Sequence, residues 1–411
     1  MKSRLFENIV SLYVVQGFNY LAPIIVLPYL LRVLGPRGYG AIAFSQAVIA
    51  YARIWTDFGF NLSSAKNISV ARDDPREVDR VFWSTIFAKI GLFLVGAVTI
   101  IPIVYMVPTL HRHMRLIFIS GLSVMGSVIL PQWYFQGLER MRLMGLALAL
   151  SRVASLVAIF FVVHSAADVF PAAALLALPT LLGGVLCLAI LPLVRPVRWY
   201  RPTLKDIKTT VADSWYLFVS AAATSLYLNS NVFLLGMICG DYQVALYSAA
   251  NKIALAVFGM LSPIAQAVFP RANIIFQKSV DDGKEFARKL VRYTLGISGI
   301  LAVLMFMFAR KILTIFGGTS YVEATSVLRV MSVLPLLLTL ATIMSQIVMI
   351  NIGMTRELSR IYLVAGAISI ILLIPLAAAY GAIGGALSLV VVESVGPVMM
   401  YRAIVKFQSI R

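Results

Sequence analysis

Apolar runs of about 20 residues recur along the whole chain with only short stretches between them, and this leaves few folds open. A run of that length crosses a hydrocarbon core of about 30 Å as a helix. A bilayer leaves a crossing segment only helices or closed barrels, since each backbone polar group must find a partner within the protein. Runs of this length and number read as transmembrane helices, so the fold class is all-α polytopic membrane protein. Charged residues make up only 13% of the 411 residues, against about 25% in soluble domains. About twelve crossings are expected, at 8–31, 40–61, 82–106, 115–134, 144–163, 170–193, 214–238, 244–269, 292–309, 325–350, 361–380 and 383–404. The first run has no small-residue cleavage site and reads as a retained helix rather than a signal peptide.

The net charge of +18 would suggest nucleic acid in a soluble protein. Here loop asymmetry explains it. Placed on alternating sides, 24 of the Lys and Arg residues fall with the N-terminus and 7 fall opposite. By the positive-inside rule both termini are expected in the cytoplasm, with no nucleic-acid partner. Cys187, Cys239 and the three histidines show no ligand spacing, so no metal is expected. Phosphate-binding glycine loops and nucleophile–base sets are also missing from the pattern, so no catalytic residue is assigned.

The chain reads as a duplication. Leu34-Gly35 before Ala41–Ser45 resembles Leu235-Gly236 before Ala245–Ser248, and Phe135–Arg140 resembles Asn351–Arg356. The expected organisation is a six-helix lobe at 1–194, a basic linker at 195–213 and a second lobe at 214–411. Six helices per half preserve orientation, so the repeat is parallel, a plan that places transporter sites near the midplane between halves.

Four cations lie inside apolar runs: Arg53, Lys89, Arg152 and Lys252. Only Asp57 and Glu393 are acids at comparable depth. Each such charge costs about 2.5–3.5 kcal/mol on insertion scales. A basic surplus at that depth points to an anionic ligand in a central cationic cavity. Gln46, Arg53, Asp57 and Asn61 form one polar stripe at helical spacing. Either Arg53 pairs with Asp57 at i,i+4 and fixes helix packing, or Arg53 lines the cavity and Asp57 gates it. Lys89 and Arg152 lie about 12 Å inside their helices, within reach of snorkelling or pairing as well as of the cavity. Helix 1 offers Tyr13, Gln16, Asn19 and Tyr20, followed by Pro23 and Pro28. Helix 7 offers Ser220, Thr224, Tyr227 and Asn231, and Ser248 shares a face with Lys252. Gln46 and Asn231 join the four cations as candidate binding residues, and Glu393 joins Asp57 for gating or coupling to a proton or sodium gradient.

Several blocks together resemble the Wzx-type O-antigen flippases. They are Leu31–Gly40 with Ala43–Gln46, Thr56–Ser63, Arg72-Asp73-Asp74, Pro131–Glu139, Tyr247–Ile253 and Pro263–Arg271. The resemblance implies the polysaccharide branch of the MOP exporter superfamily, with two six-helix, MATE-like lobes around a cationic cavity. It implies translocation of undecaprenyl-diphosphate-linked oligosaccharide across a bacterial inner membrane by alternating access, without bond chemistry. Membrane lipids, a polysaccharide polymerase and a chain-length regulator are the further candidate partners. Rival readings are a MATE-like cation antiporter, which would want an acidic cavity, and a glycan polymerase or ligase, which would want a large outer loop. A non-catalytic scaffold of glycan assembly is a third.

Overall fold

In the computed structural model of the chain, the backbone is described for residues 2–409. Side chains are described for 25–222, 225, 229–261, 268–269 and 271–407. Helices α1 (Lys2–Asp57), α2 (Phe60–Val70), α3 (Pro75–Met106), α4 (Pro108–Arg112), α5 (Met114–Ser120), α6 (Leu122–Ile129) and α7 (Gln132–Gly137) come first. Then follow α8 (Met141–Val162), α9 (Val169–Val194), α10 (Leu204–Cys239), α11 (Asp241–Lys278), α12 (Val280–Met307) and α13 (Ala309–Gly317). A 3₁₀ turn at Thr319–Ala324, α14 (Thr325–Met331), α15 (Leu334–Thr342), a π-helix at Ile343–Met349 and α16 (Thr355–Ser409) complete the order. No strand occurs among the described residues.

Two of the long helices are pairs joined at a glycine. α1 breaks at Gly35 (φ 66°, ψ 176°) and α16 at Gly381 (φ 56°, ψ −130°). Gln243 of α11 holds the second break, its Oε1 accepting from the Ala382 amide at 2.9 Å. Among the described residues, eight segments are long and apolar enough to cross a membrane, and one of them, Thr355–Phe407, contains the Gly381 break. The expected crossing at 40–61 is not one of the eight, because Gln46, Arg53 and Asp57 dilute its hydropathy. Outer faces carry exposed Leu94, Val98, Phe161, Tyr293 and Ile371, as lipid-facing helices require.

By its contacts the chain forms two compact units: Ala41–Asn229, and Met1–Gly40 together with Ser230–Arg411. These are not the repeat halves read from the sequence. A duplication boundary records descent, whereas a packing unit records which helices touch. In the first unit α2 and α7 lie over a core of Ile68, Phe82, Trp133, Tyr134, Phe135 and Cys187. α6 approaches α9 closely at Gly126, where a Cβ would stand 2.5 Å from the Leu181 amide nitrogen. Small residues at such crossings let helix backbones approach within a bilayer. In the second unit Met344, Ile347 and Met349 of the π-helix pack with Phe276, Leu358 and Met400 in a core.

The basic segment 195–203, expected as a linker, is docked on the first unit. The Trp83 indole donates to the Arg198 carbonyl at 2.9 Å and its ring meets Trp199 edge-on at 4.5 Å. Tyr134 donates to the Arg195 carbonyl at 2.9 Å. Asp206 then closes a reciprocal cap on α10: its carboxylate accepts from the Thr203 amide at 2.8 Å, and its own amide donates to Thr203 Oγ1 at 3.2 Å. Arg80 adds an ion pair to Asp206 at 3.0 Å. The Thr203 amide, ahead of the Thr203 hydroxyl, Arg80 and Tyr200, holds the Asp206 carboxyl down at about 2. A depressed carboxylate contributes stability above its unfolded value of about 3.9, and loses it as pH falls through the folded value. The strap is therefore expected to stay docked from neutral pH down to about pH 4. Asp206→Asn should expose it at every pH, read as trypsin cleavage within 195–208 several-fold faster than in the parent, about what local opening of one weak segment gives.

Candidate functional site

The site is built on the second half of α1. At 100° per residue Arg53 lies about 20° to one side of Gln46 on the helix surface and Asp57 about 20° to the other. Trp55 turns the opposite way and anchors the helix to α3, its indole donating to the Leu92 carbonyl at 2.9 Å. The helix ends at Asp57 because the next two residues are left-handed, Phe58 at φ 43° and Gly59 at φ 80°. A bulky residue at positive φ is strained, by about 1–3 kcal/mol. The strain is held by packing: Phe58 is 3% exposed and stacks on Phe218 at 4.3 Å with ring planes 7° apart. A Cβ on Gly59 would stand 2.7 Å from the Leu217 Cβ, so the turn lies tight against α10. This break takes Asn61 off the stripe and into α2.

Arg53 and Gln46 line one cavity of about 240 Å³, with Ile49 and Ala50 of α1, Ser120 of α5, Ser123 of α6, and Leu176, Ala177 and Thr180 of α9. Arg53 is exposed into this space and makes no hydrogen bond or ion pair among the described residues. On the same wall the Ser120 hydroxyl is buried without a hydrogen-bond partner. The expected i,i+4 pair between Arg53 and Asp57 does not form. Asp57 Oδ1 instead takes the ammonium of Lys89 at 2.8 Å.

Lys89 corrects a second expectation. Its side chain is 1% exposed and does not line the Arg53 cavity. The ammonium is enclosed by the Asp57 carboxylate, the Ser127 carbonyl at 2.6 Å and the Trp133 ring at 4.7 Å. Sequence depth placed Lys89 in the cavity, but the same depth can be satisfied by a carboxylate, a carbonyl and an aromatic face. Trp133 was legible only as part of the Pro131–Glu139 block.

Arg152 likewise lies outside the cavity. It sits on the exposed face of α8 with Leu150 and Val153. In the second unit Lys252 of α11 is exposed, its ammonium 5.2 Å from the centre of the Tyr39 ring. Asn231 is 1% exposed and neither of its amide atoms is hydrogen-bonded among the described residues, so it is a buried polar group rather than an open binding residue. Ser248 is buried too, its hydroxyl without a partner among the described residues. Glu393 is half-buried in α16, near enough to the buried Tyr247 hydroxyl to act on it electrostatically. Tyr13, Gln16, Asn19, Tyr20 and Pro23, and Thr224 and Tyr227, lie outside the residues with described side chains.

The family model described as polysaccharide biosynthesis protein matches residues 5–276. The chain belongs to that family. Among polysaccharide biosynthesis proteins it is 32% identical to a protein of Escherichia coli strain K12 named as an O-antigen transporter, over 95% of this chain and 94% of that one. A Shigella dysenteriae protein of the same name is 31% identical over 97% of this chain and 99% of its own. The resemblance to Wzx-type flippases read from the sequence blocks therefore holds. Solved structures share the fold at lower identity. The lipid II flippase MurJ in an inward closed conformation aligns with TM-score 0.75 and 13% identity, over 96% of this chain and 87% of MurJ. An inward-facing MATE transporter of the MOP superfamily aligns with TM-score 0.71 and 14% identity, over 95% and 98%. This polysaccharide biosynthesis protein is thus an all-α membrane protein of the MATE-like kind.

Proposed function

We propose that this chain is a flippase for a polyprenyl-diphosphate-linked oligosaccharide, carrying it from the cytoplasmic to the periplasmic leaflet of a bacterial inner membrane by alternating access. One observation carries the reading: a guanidinium on a polar cavity wall with no hydrogen bond or ion pair among the described residues. Arg presents a planar fork of donors that matches phosphate oxygens, and such charge-assisted bonds strengthen where water is scarce. Gln46 and the unpartnered Ser120 hydroxyl supply further hydrogen bonds beside it. The cavity, about 240 Å³, is smaller than the ~300–1,000 Å³ of pockets for drug-sized ligands. It suits the charged headgroup. The sugars then extend beyond it and the polyprenyl tail stays in lipid.

The resemblance to O-antigen transporters and the charge of the site favour the same substrate class. A cation antiporter would want an acid where Arg53 stands. The basic surplus with the N-terminus supports cytoplasmic termini. No bond is made or broken, so the chain is a transporter, and the lipid passes on to a polysaccharide polymerase and chain-length regulator at the far face. An inside-negative potential favours outward movement of the diphosphate by about 2.3 kcal/mol per charge per 100 mV. With Asp57 committed to Lys89, Glu393 is the acid left for proton or sodium coupling. The test is complementation. Cells lacking their own flippase should regain surface O-polysaccharide when they express this chain. Expression at normal membrane levels with no surface glycan, from a repeat unit the cells are shown to make, would overturn the reading.

A further inference from the structure

We infer that Lys89 is a positioning residue for the anion site: it holds Asp57 and so keeps Arg53 unpaired. The inference rests on Arg53 being the diphosphate contact.

On a helix, residues at i and i+4 are neighbours, and Arg53 and Asp57 would pair by default. Two costs decide which cation Asp57 takes. Arg53 faces an open polar cavity, where an exposed ion pair adds little. Lys89 has no water to turn to, and removing one partner of a buried pair leaves the other charge uncompensated. Asp57 therefore goes to Lys89, at 2.8 Å. The Ser127 carbonyl at 2.6 Å and the Trp133 ring at 4.7 Å hold the ammonium in place for it. The left-handed turn at Phe58 and Gly59 fixes where the helix, and with it Asp57, ends. The result is a cavity whose charge, among the described residues, is that of Arg53. Without the lysine charge, Asp57 has Arg53 four residues back. The pair that forms neutralises the anion site, although the substituted lysine does not line it.

The experiment uses the full chain in flippase-deficient cells, with Arg53→Gln, Lys89→Met, Asp57→Asn and Lys89→Met/Asp57→Asn, scored as surface O-polysaccharide per unit of protein in the membrane. Lys89→Met should lose at least about tenfold, the equivalent of one charge-assisted contact. The double variant should recover to within about threefold of the parent, because its Arg53 is unpaired again. A lysine that only stabilises the fold would change the amount of protein in the membrane, restored by the double variant, and leave glycan per unit of protein unchanged throughout. A double variant as inactive as Lys89→Met, while present in the membrane, would overturn the inference, as would a fully active Lys89→Met. If Lys89→Met does not accumulate, the double variant alone decides: active supports the inference, present but inactive overturns it.

A second measurement reads the cavity charge directly. The Arg53→Cys variant should react faster with a cationic than with an anionic thiosulfonate in the Lys89→Met background, by about tenfold over the same ratio with Lys89 intact. Adding Asp57→Asn should abolish the difference. An unchanged ratio would mean that Asp57 never turns to the cavity, and the inference falls. Arg53→Gln separates the two levels. If that variant is fully active, the diphosphate reading fails with whatever Lys89 shows; if it is inactive and the Lys89 series gives no rescue, only the positioning role fails.

Discussion

Arg53→Gln is expected to lower surface O-polysaccharide by about ten- to a hundredfold, with the amount of protein in the membrane unchanged. A hydrogen bond to a charged group contributes about 1.5–3 kcal/mol, and each 1.4 kcal/mol is a factor of ten. Folding should hardly notice, because Arg53 has no hydrogen bond or ion pair among the described residues and faces open space. Arg53→Lys should fall between the two, since it keeps the charge and loses the two-pronged geometry. Quantifying glycan at the surface and protein in the membrane on the same cells checks both halves. A drop in protein matching the drop in glycan would move Arg53 from the site to the scaffold.

Gly40→Ala is expected to deplete folded protein rather than impair transport per molecule. A Cβ there would stand 1.9 Å from the Asp241 carbonyl oxygen and 2.7 Å from its carbon. Both atoms are backbone, so no rotamer change relieves the clash and the start of α11 must move. Overpacking costs about 1–3 kcal/mol where side chains can yield, and this position should lie at or above the top of that range. Gly91→Ala is the control. It stands on the exposed side of α3 with nothing within 4 Å of the added carbon, and in a helix interior Ala is favoured over Gly by up to about 1 kcal/mol. Thermal unfolding of the detergent-solubilised variants, followed by loss of the monodisperse peak, should show Gly40→Ala well below the parent and Gly91→Ala at or above it.

The apolar runs made the helical architecture legible, because a bilayer leaves so few alternatives. The shared face of Gln46 and Arg53 was legible as well, since helical spacing is a local property and both line the cavity. What spacing did not reveal was the partner of Asp57. Lys89 comes from another helix, and only tertiary packing brings it to 2.8 Å. The local rule offered Arg53 instead, and a buried lysine outcompeted it. Depth within an apolar run also misplaced Lys89 and Arg152 for one reason: depth says that a charge needs an answer, not which answer it gets. For Lys89 the answer was an acid, a carbonyl and a ring; Arg152 stands on an exposed face. The segment at 195–213 read as a linker because its charges dominate its composition. Trp199, set against Trp83, was the residue in it that signalled docking.

The most direct measurement is binding of a polyprenyl diphosphate to the purified chain, parent against Arg53→Gln, with the corresponding polyprenyl monophosphate and uncharged polyprenol as comparisons. If the lone guanidinium holds the headgroup, the parent should prefer the diphosphate to the polyprenol by at least about tenfold, and Arg53→Gln should erase most of that preference. Equal preference in the two proteins would contradict it.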